Sequence, residues 1–442
     1  MDTVRKRHLS SFQIIIFGFA GTILIGALLL MLPISSAANN FTNFLDALFT
    51  ATSAVCVTGL VVYDTATHWS YFGQFIIITL IQIGGLGVVT IASAIVMILG
   101  RKIGLMQRST MQTAISASKI GGIVRLTGFI LKATFIIELT GALIMAPVYC
   151  RDFGILKGIW VSVFHSISAF CNAGFDLMGT KGEFSSLTTY VAQPVINIVI
   201  MLLIIIGGIG FLTWDDIRKN KFRFRRYTLQ SKMAIITTII LILVPAIYFY
   251  LHQFQDSPMG ERILSSFFQS VTPRTAGFNT VDLTKLNDIS QTITTVLMLI
   301  GGSPGSTAGG MKTTTIAVMI FTCISIFRQK DNVECLGRRI PDGAVKSAAT
   351  ILMMYITLFL IGGLIISGIE NIPIENCLFE TASAIGTVGL SLGLTPTLGS
   401  ISKIILILLM YFGRVGGLTL IFAAIASKGQ ISKFPQEKVT IG

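Results

Sequence analysis

The chain has 442 residues, 52% of them hydrophobic and only 12% charged, with a formal net charge of +13 at pH 7. Soluble domains carry about 25% charged residues, so this balance excludes a soluble enzyme or binding domain and points to a membrane protein. A basic chain that binds nucleic acid gathers its charge on one solvated face; here lysine and arginine sit between apolar runs, so the expected surroundings are membrane lipid and no nucleic acid is expected.

Runs long enough to cross the hydrocarbon, about 20 residues, recur in chain order. The apolar run from Phe12 is too long for a signal-peptide core and has no A-x-A site, so 11–32 is read as the first span. Residues 44–55 are half polar and too short to cross, which predicts a re-entrant half-helix shielded by protein. Residues 72–99 span back. The unit returns as 126–149, 158–171 and 191–213, as 233–252, 261–273 and 290–327, and as 346–368, 374–386 and 401–426. The expected fold is an all-α membrane protein of four pseudo-symmetric helix–pore-helix–helix repeats around one central pore, with eight crossings and four half-crossings. The repeats are drawn at 1–110, 111–230, 231–344 and 345–442, the last with a polar tail at 428–442.

The basic residues concentrate in 101–125, 218–232 and 328–346, beside the N-terminal Arg5, Lys6 and Arg7, so those loops and both termini are expected in the cytoplasm of a cell-membrane protein. Asp64, Asp176, Asp256, Asp282, Asp288 and Glu370 fall on the opposite side, where surplus negative charge would concentrate cations. The six cysteines make no CxxC and the four histidines no cluster, so core packing is their expected role and no metal centre is expected.

After each half-helix comes a short run closing on glycine and a large apolar residue: VCVTGL at 55–60, FCNAGF at 170–175, PRTAGF at 273–278 and IGTVGL at 385–390. A selective pore must replace the hydration oxygens of a cation, which rings of backbone carbonyls do, and glycine permits the backbone they need. Val57, Thr58 and Gly59, Asn172, Ala173 and Gly174, Thr275, Ala276 and Gly277, and Thr387, Val388 and Gly389 are therefore the candidate ion-binding filter. No carboxylate ring, as a divalent-selective pore would need, occurs there. Arg274 is out of place beside such a filter and is expected to turn away and pair with a carboxylate.

A second signature follows each filter. Gly84-Gly85-Leu86-Gly87 is matched by Gly207-Gly208-Ile209-Gly210, where the glycines read as close helix packing. The fourth copy is Gly413-Arg414-Val415-Gly416. A mid-membrane arginine costs at least about 2.5–3.5 kcal/mol and faces a cavity or a partner; Arg414 is expected to act as an electrostatic barrier below the filter, or else to pair with Glu138 or Glu380. The third copy is broken by Gly301-Gly302-Ser303-Pro304-Gly305-Ser306-Thr307-Ala308-Gly309-Gly310, which cannot stay helical and must line a cavity or be buried in protein. It is no phosphate-binding loop, because Lys312 follows Met311 and no strand precedes it.

With these motifs in place, the whole chain resembles the membrane subunit of the Trk/Ktr/HKT superfamily of potassium transporters, most of all the bacterial Ktr type. The resemblance implies a potassium-channel-like pore in each protomer of a homodimer, resting on a cytosolic ring of nucleotide-binding regulatory subunits. No cofactor is implied for this chain itself; the nucleotide would sit on the partner. It implies that residues 302–310 are an intramembrane gating loop, and Arg414, the expected barrier, is counted with that gate. Glycine at all four filter positions resembles the potassium-selective members, some sodium-carrying plant relatives having serine in the first, so potassium is the expected cargo and sodium a second candidate ion. The rival reading is a secondary transporter of an organic cation or amino acid, but such folds use inverted repeats, and these four share one orientation. No arginine-rich voltage sensor and no catalytic constellation is present, so an enzyme is not expected.

Overall fold

The computed structural model describes residues 10–100, 103–116, 121–221, 223–417 and 419. The tail at 428–442, the basic triplet Arg5, Lys6 and Arg7, and the end of the fourth returning span lie outside them.

Four long outer helices, Ser11–Met31, Ile123–Phe153, Leu229–Gln253 and Asp342–Glu370, are apolar enough to cross a membrane. Their exposed faces are apolar: Phe17, Leu24 and Leu28 on the first, Leu139 and Leu143 on the second, Leu360 and Leu364 on the fourth. Large side chains turned outward at helical spacing are stable only against lipid. Each outer helix is followed by a short pore helix: Phe44–Val55, Ile155–Phe170, Met259–Val271 and Ile374–Gly386. Their starts are exposed, as at Leu156 and Met259, but their C-terminal ends are buried. Every residue from Phe49 to Val55 lies in the interior, so the polar atoms at the end of the first pore helix never meet hydrocarbon.

Each pore helix leads through a glycine loop into an inner helix. Side-chain caps start several of these segments: Asn43 accepts from the Leu45 amide, Ser70 from that of Gly73 and Asn287 from that of Ser290, satisfying amides that a helix start leaves open. Inner helices one and two were expected to be continuous. They are instead bent, by 94° between Tyr71–Leu86 and Val88–Met97 and by 93° between Pro194–Gly208 and Phe211–Asn220. The turning residues, Gly87 (φ +87°) and Gly210 (φ +100°), take a backbone that a side chain would strain. The third inner helix stops at Leu299 and resumes at Thr313, and the fourth runs from Ser400 to Val415, ending on Gly416 at φ +86°. The protein is thus all-α and built from four outer-helix, pore-helix and inner-helix units around a common centre. A two-residue hairpin, Glu334–Cys335 against Arg338–Arg339, is a small addition not foreseen.

Candidate ion pathway

The pore helices end in one shared geometry. Val57, Asn172, Thr275 and Thr387 all take left-handed φ, at 50°, 58°, 65° and 51°, and the glycines two residues on do so again. A left-handed non-glycine residue costs about 1–2 kcal/mol, and four at matched positions persist only because their surroundings impose them. Alternating the sign of φ lets successive peptide groups present like atoms to one side.

The glycines show how the four loops are arranged. A Cβ added to Gly59 would crowd the Ala173 carbonyl oxygen, at Gly174 that of Ala276, at Gly277 that of Val388, and at Gly389 that of Thr58, each nearer than 3.0 Å. Repeat one therefore abuts two, two abuts three, three abuts four, and four returns to one. Only a closed ring gives that order. Above it lies a cavity of about 720 Å³ lined by all four glycines and by Val61, Asp176, Asn279 and Ser391, each two residues beyond its glycine. Asp64, Asp282 and Lys285 line it too. Asp256, Asp288 and Glu370 do not; Glu370 instead accepts from the Gly399 amide and the Ser402 hydroxyl. Burial, with Asp64 close by, pushes the Asp176 carboxyl up to about 7 against the opposing bond from the Met178 amide.

The broken segment lies at the opposite end of the ring, and its contacts come from bonds the helix breaks release. In a continuous helix the Phe211 amide would donate to Gly207. At the bend it donates instead to the Gly305 carbonyl (2.6 Å), and the Gly207 carbonyl takes the Thr307 amide (3.3 Å). Gly208 accepts from Ser303 (2.9 Å), and Gly413 from Gly310 (3.1 Å). The loop closes on itself through the Thr313 amide to Gly302 (3.0 Å) and through Lys312 Nζ to the Ala308 and Gly309 carbonyls, 2.8 and 3.1 Å. Gly309 has no room for a Cβ because the Thr387 side chain occupies that space.

Comparison with known proteins bears on the whole chain. A family model described as a cation transport protein, TrkH, matches residues 4–434. The chain belongs to the TrkH family of cation transport proteins. It is 41% identical to the potassium/sodium uptake protein NtpJ of Enterococcus hirae, over 99% of this chain and 98% of that protein. To the Ktr system potassium uptake protein B of Bacillus subtilis it is 39% identical, over 97% of this chain and 96% of that one. The crystal structure of the potassium transporter TrkH from Vibrio parahaemolyticus superposes with a TM-score of 0.73 at 20% identity, covering 95% of this chain and 85% of that one, which establishes the shared fold. The family is one of ion transporters, not enzymes.

In this TrkH-family chain two arginines are held by neutral oxygens. Arg274 does not meet a carboxylate among the described residues: its Nη2 donates to the Thr238 hydroxyl at 3.1 Å, on the outer helix of its own repeat. Arg414 does not pair with Glu138 or Glu380 either. Glu138 accepts from Gln82 (3.0 Å), and Glu380 from Thr395 (2.7 Å) and the Leu392 amide (3.1 Å). Arg414 donates to three carbonyls, those of Thr307 in the broken loop and of Gly84 and Gly85 at the first helix bend, the last at 2.9 Å. It joins repeat four to repeats one and three.

Sequence reasoning missed the hydroxyls that hold the candidate filter loops. Ser53 Oγ accepts from the Gly59 amide and Ser383 Oγ from the Gly389 amide, both at 3.0 Å, while Ser168 Oγ donates to the Phe175 carbonyl at 2.7 Å. The signal was present: a serine lies six residues before the glycine in three of the four copies.

Proposed function

We propose that this chain is the ion-conducting, potassium-selective membrane subunit of a bacterial potassium-uptake system. The observation that carries this reading is the closed ring of Gly59, Gly174, Gly277 and Gly389, each backed by a carbonyl of the next repeat. Such a ring offers main-chain oxygens of Val57, Thr58, Asn172, Ala173, Thr275, Ala276, Thr387 and Val388 in place of the water around a dehydrating cation. The pore helices end at this ring, so the negative ends of their dipoles face the ion. Full-length relatives named for potassium and for potassium/sodium uptake support potassium as cargo, with sodium as a second candidate ion.

The gate in this reading is the 302–310 segment with Arg414. It sits across the ring from the cavity and is pinned by carbonyls of repeats two and four. The repeats divide at 110, 230 and 344. The basic loops face the cytoplasm, as do both termini, and offer a docking surface for a cytosolic ring of nucleotide-binding subunits beneath a homodimer of this chain.

The test is rescue of a potassium-uptake-deficient bacterium at low external potassium, with the regulatory subunit supplied. Growth is expected with the wild-type chain and not with Gly174→Ser. Equal rescue by both would overturn the filter assignment.

A further inference from the structure

Of the four residues that open the filter loops, three have side chains without an amide: Val57, Thr275 and Thr387. The fourth, Asn172, is fully enclosed, and every polar atom of its side chain is engaged. Its Nδ2 donates to the carbonyls of Ile204 (3.4 Å) and Arg274 (3.3 Å) and to the Thr275 hydroxyl (3.4 Å). The bonds to Arg274 and Thr275 tie repeat two to the adjacent filter loop of repeat three, while the one to Ile204 stays within repeat two. Its Oδ1 accepts from Thr307 Oγ1 at 3.0 Å.

Thr307 lies in the middle of the broken loop. Its single hydroxyl proton is shared between Asn172 Oδ1 and the Phe170 carbonyl at the end of the second pore helix, also 3.0 Å away. Its amide donates to Gly207, and its carbonyl accepts from Arg414. One residue of the loop thus touches the filter through its side chain and the helix breaks of repeats two and four through its backbone. The loop cannot leave without freeing Asn172 Oδ1. With the plug withdrawn water enters beside that atom, which loses its fixed protein donor, and the Asn172 side chain is no longer held in place. The amide must then find another partner, and its bonds to the Arg274 carbonyl and Thr275 hydroxyl carry the disturbance into the next filter loop.

We propose that the Thr307 hydroxyl, by holding the Asn172 side chain, couples the seating of the 302–310 loop to the width of the filter, so that ion discrimination changes with the state of the gate. This deepens the function proposed above and rests on it. In that reading the loop is a plug and the filter a fixed sieve; here the plug also sets the sieve. Thr307 and Asn172 are positioning residues, acting on the ion through the carbonyls they hold.

The experiment uses the full chain in liposomes and measures rubidium uptake with and without competing sodium. Wild-type protein is expected to carry rubidium with little inhibition by sodium; absence of any rubidium flux would overturn the transport reading itself. Thr307→Val and Thr307→Ala both remove the hydroxyl, the second without added bulk. Each is expected to lower the rubidium-to-sodium preference about fivefold, the ratio that one neutral hydrogen bond can hold, whereas Thr307→Ser keeps it. Asn172→Ala, which also removes the Nδ2 bonds, should lower the preference at least as much, and the Thr307→Ala/Asn172→Ala double variant no further than Asn172→Ala alone, because Thr307 acts through Asn172. A Thr307 variant that folds, as judged by a single peak on gel filtration, and raises flux with the preference unchanged would overturn the coupling while leaving the pore reading intact. So would single-variant effects that multiply in the double variant.

Discussion

Asp176 occupies the place above its filter glycine where the other repeats carry Val61, Asn279 and Ser391, which makes it the one ionisable side chain at that level of the cavity. Its carboxyl is pushed up to about 7 by burial, so it is neutral below that pH and charged above it. A cavity that gains negative charge concentrates cations at the ring. Uptake at low external cation should therefore fall as external pH drops through about 7, while Asp176→Asn should be slow throughout and lose that step. Raising ionic strength should shrink the difference between the two proteins, because charge in an open cavity is screened within about 8 Å at physiological salt. Arg414 makes a second prediction. Its guanidinium spans the broken loop and the first helix bend, so Arg414→Ala should loosen the loop and raise unregulated rubidium flux several-fold, with Arg414→Lys intermediate because one ammonium cannot reach three carbonyls in a fixed fork. The oddity of Arg414 was legible from its neighbours, an arginine where two other repeats have glycine. Its partners were not, because they are backbone atoms more than 100 residues away in the chain. Arg274 misled for a related reason: a buried cation suggests a carboxylate, and here the group it reaches is a threonine hydroxyl.

Among the elements, helix existence and order were readable from apolar runs and their lengths; the pore helix expected at 44–55 is Phe44–Val55, and that expected at 374–386 is Ile374–Gly386. The right-angle bends were not. Gly84 and Gly207 do serve close packing, since a Cβ on either would collide with the carbonyl of Val55 or Phe170 at the end of the neighbouring pore helix. In a membrane helix, glycine for packing and glycine for bending look alike in sequence. The distinction lies three residues on, at Gly87 and Gly210, where only φ reveals the turn. Gly210→Ala should cost about 1–3 kcal/mol of backbone strain and lower the melting temperature in detergent. The same change at Gly128, near the start of the second outer helix with open space around it, should stabilise or leave stability unchanged. The 302–310 segment is held by hydrogen bonds to the helix breaks of repeats two and four. Removing it should raise flux and weaken regulatory control, and a well-folded deletion with wild-type flux would count against its role as a gate.

For the molecule as a whole, the seam between the first and last repeats completes the ring. Lys403 on the fourth inner helix pairs with Asp46 on the first pore helix at 2.8 Å, both side chains mostly buried, and the Tyr63 hydroxyl donates to the same carboxylate at 2.9 Å. Removing one partner of a shielded ion pair leaves the other charged and uncompensated, a loss of about 3–5 kcal/mol. Lys403→Met should therefore lower the unfolding midpoint in detergent far more than Lys285→Met, whose pair with Asp282 is exposed. The exposed pair is worth at most about 1 kcal/mol. Four-fold arrangement was legible because the glycine motifs recur at near-equal spacing; this seam was not, since its two ends are 357 residues apart.

Building the ring from one polypeptide has a further consequence. An assembly of four identical subunits must copy every substitution to all quadrants, so an inward guanidinium would appear four times over and would repel any cation from the axis. Here Arg414, Pro304 and Asn172 each occur once. In the proposed pathway, selection can therefore change the residues of one quadrant without altering the oxygens that all four share.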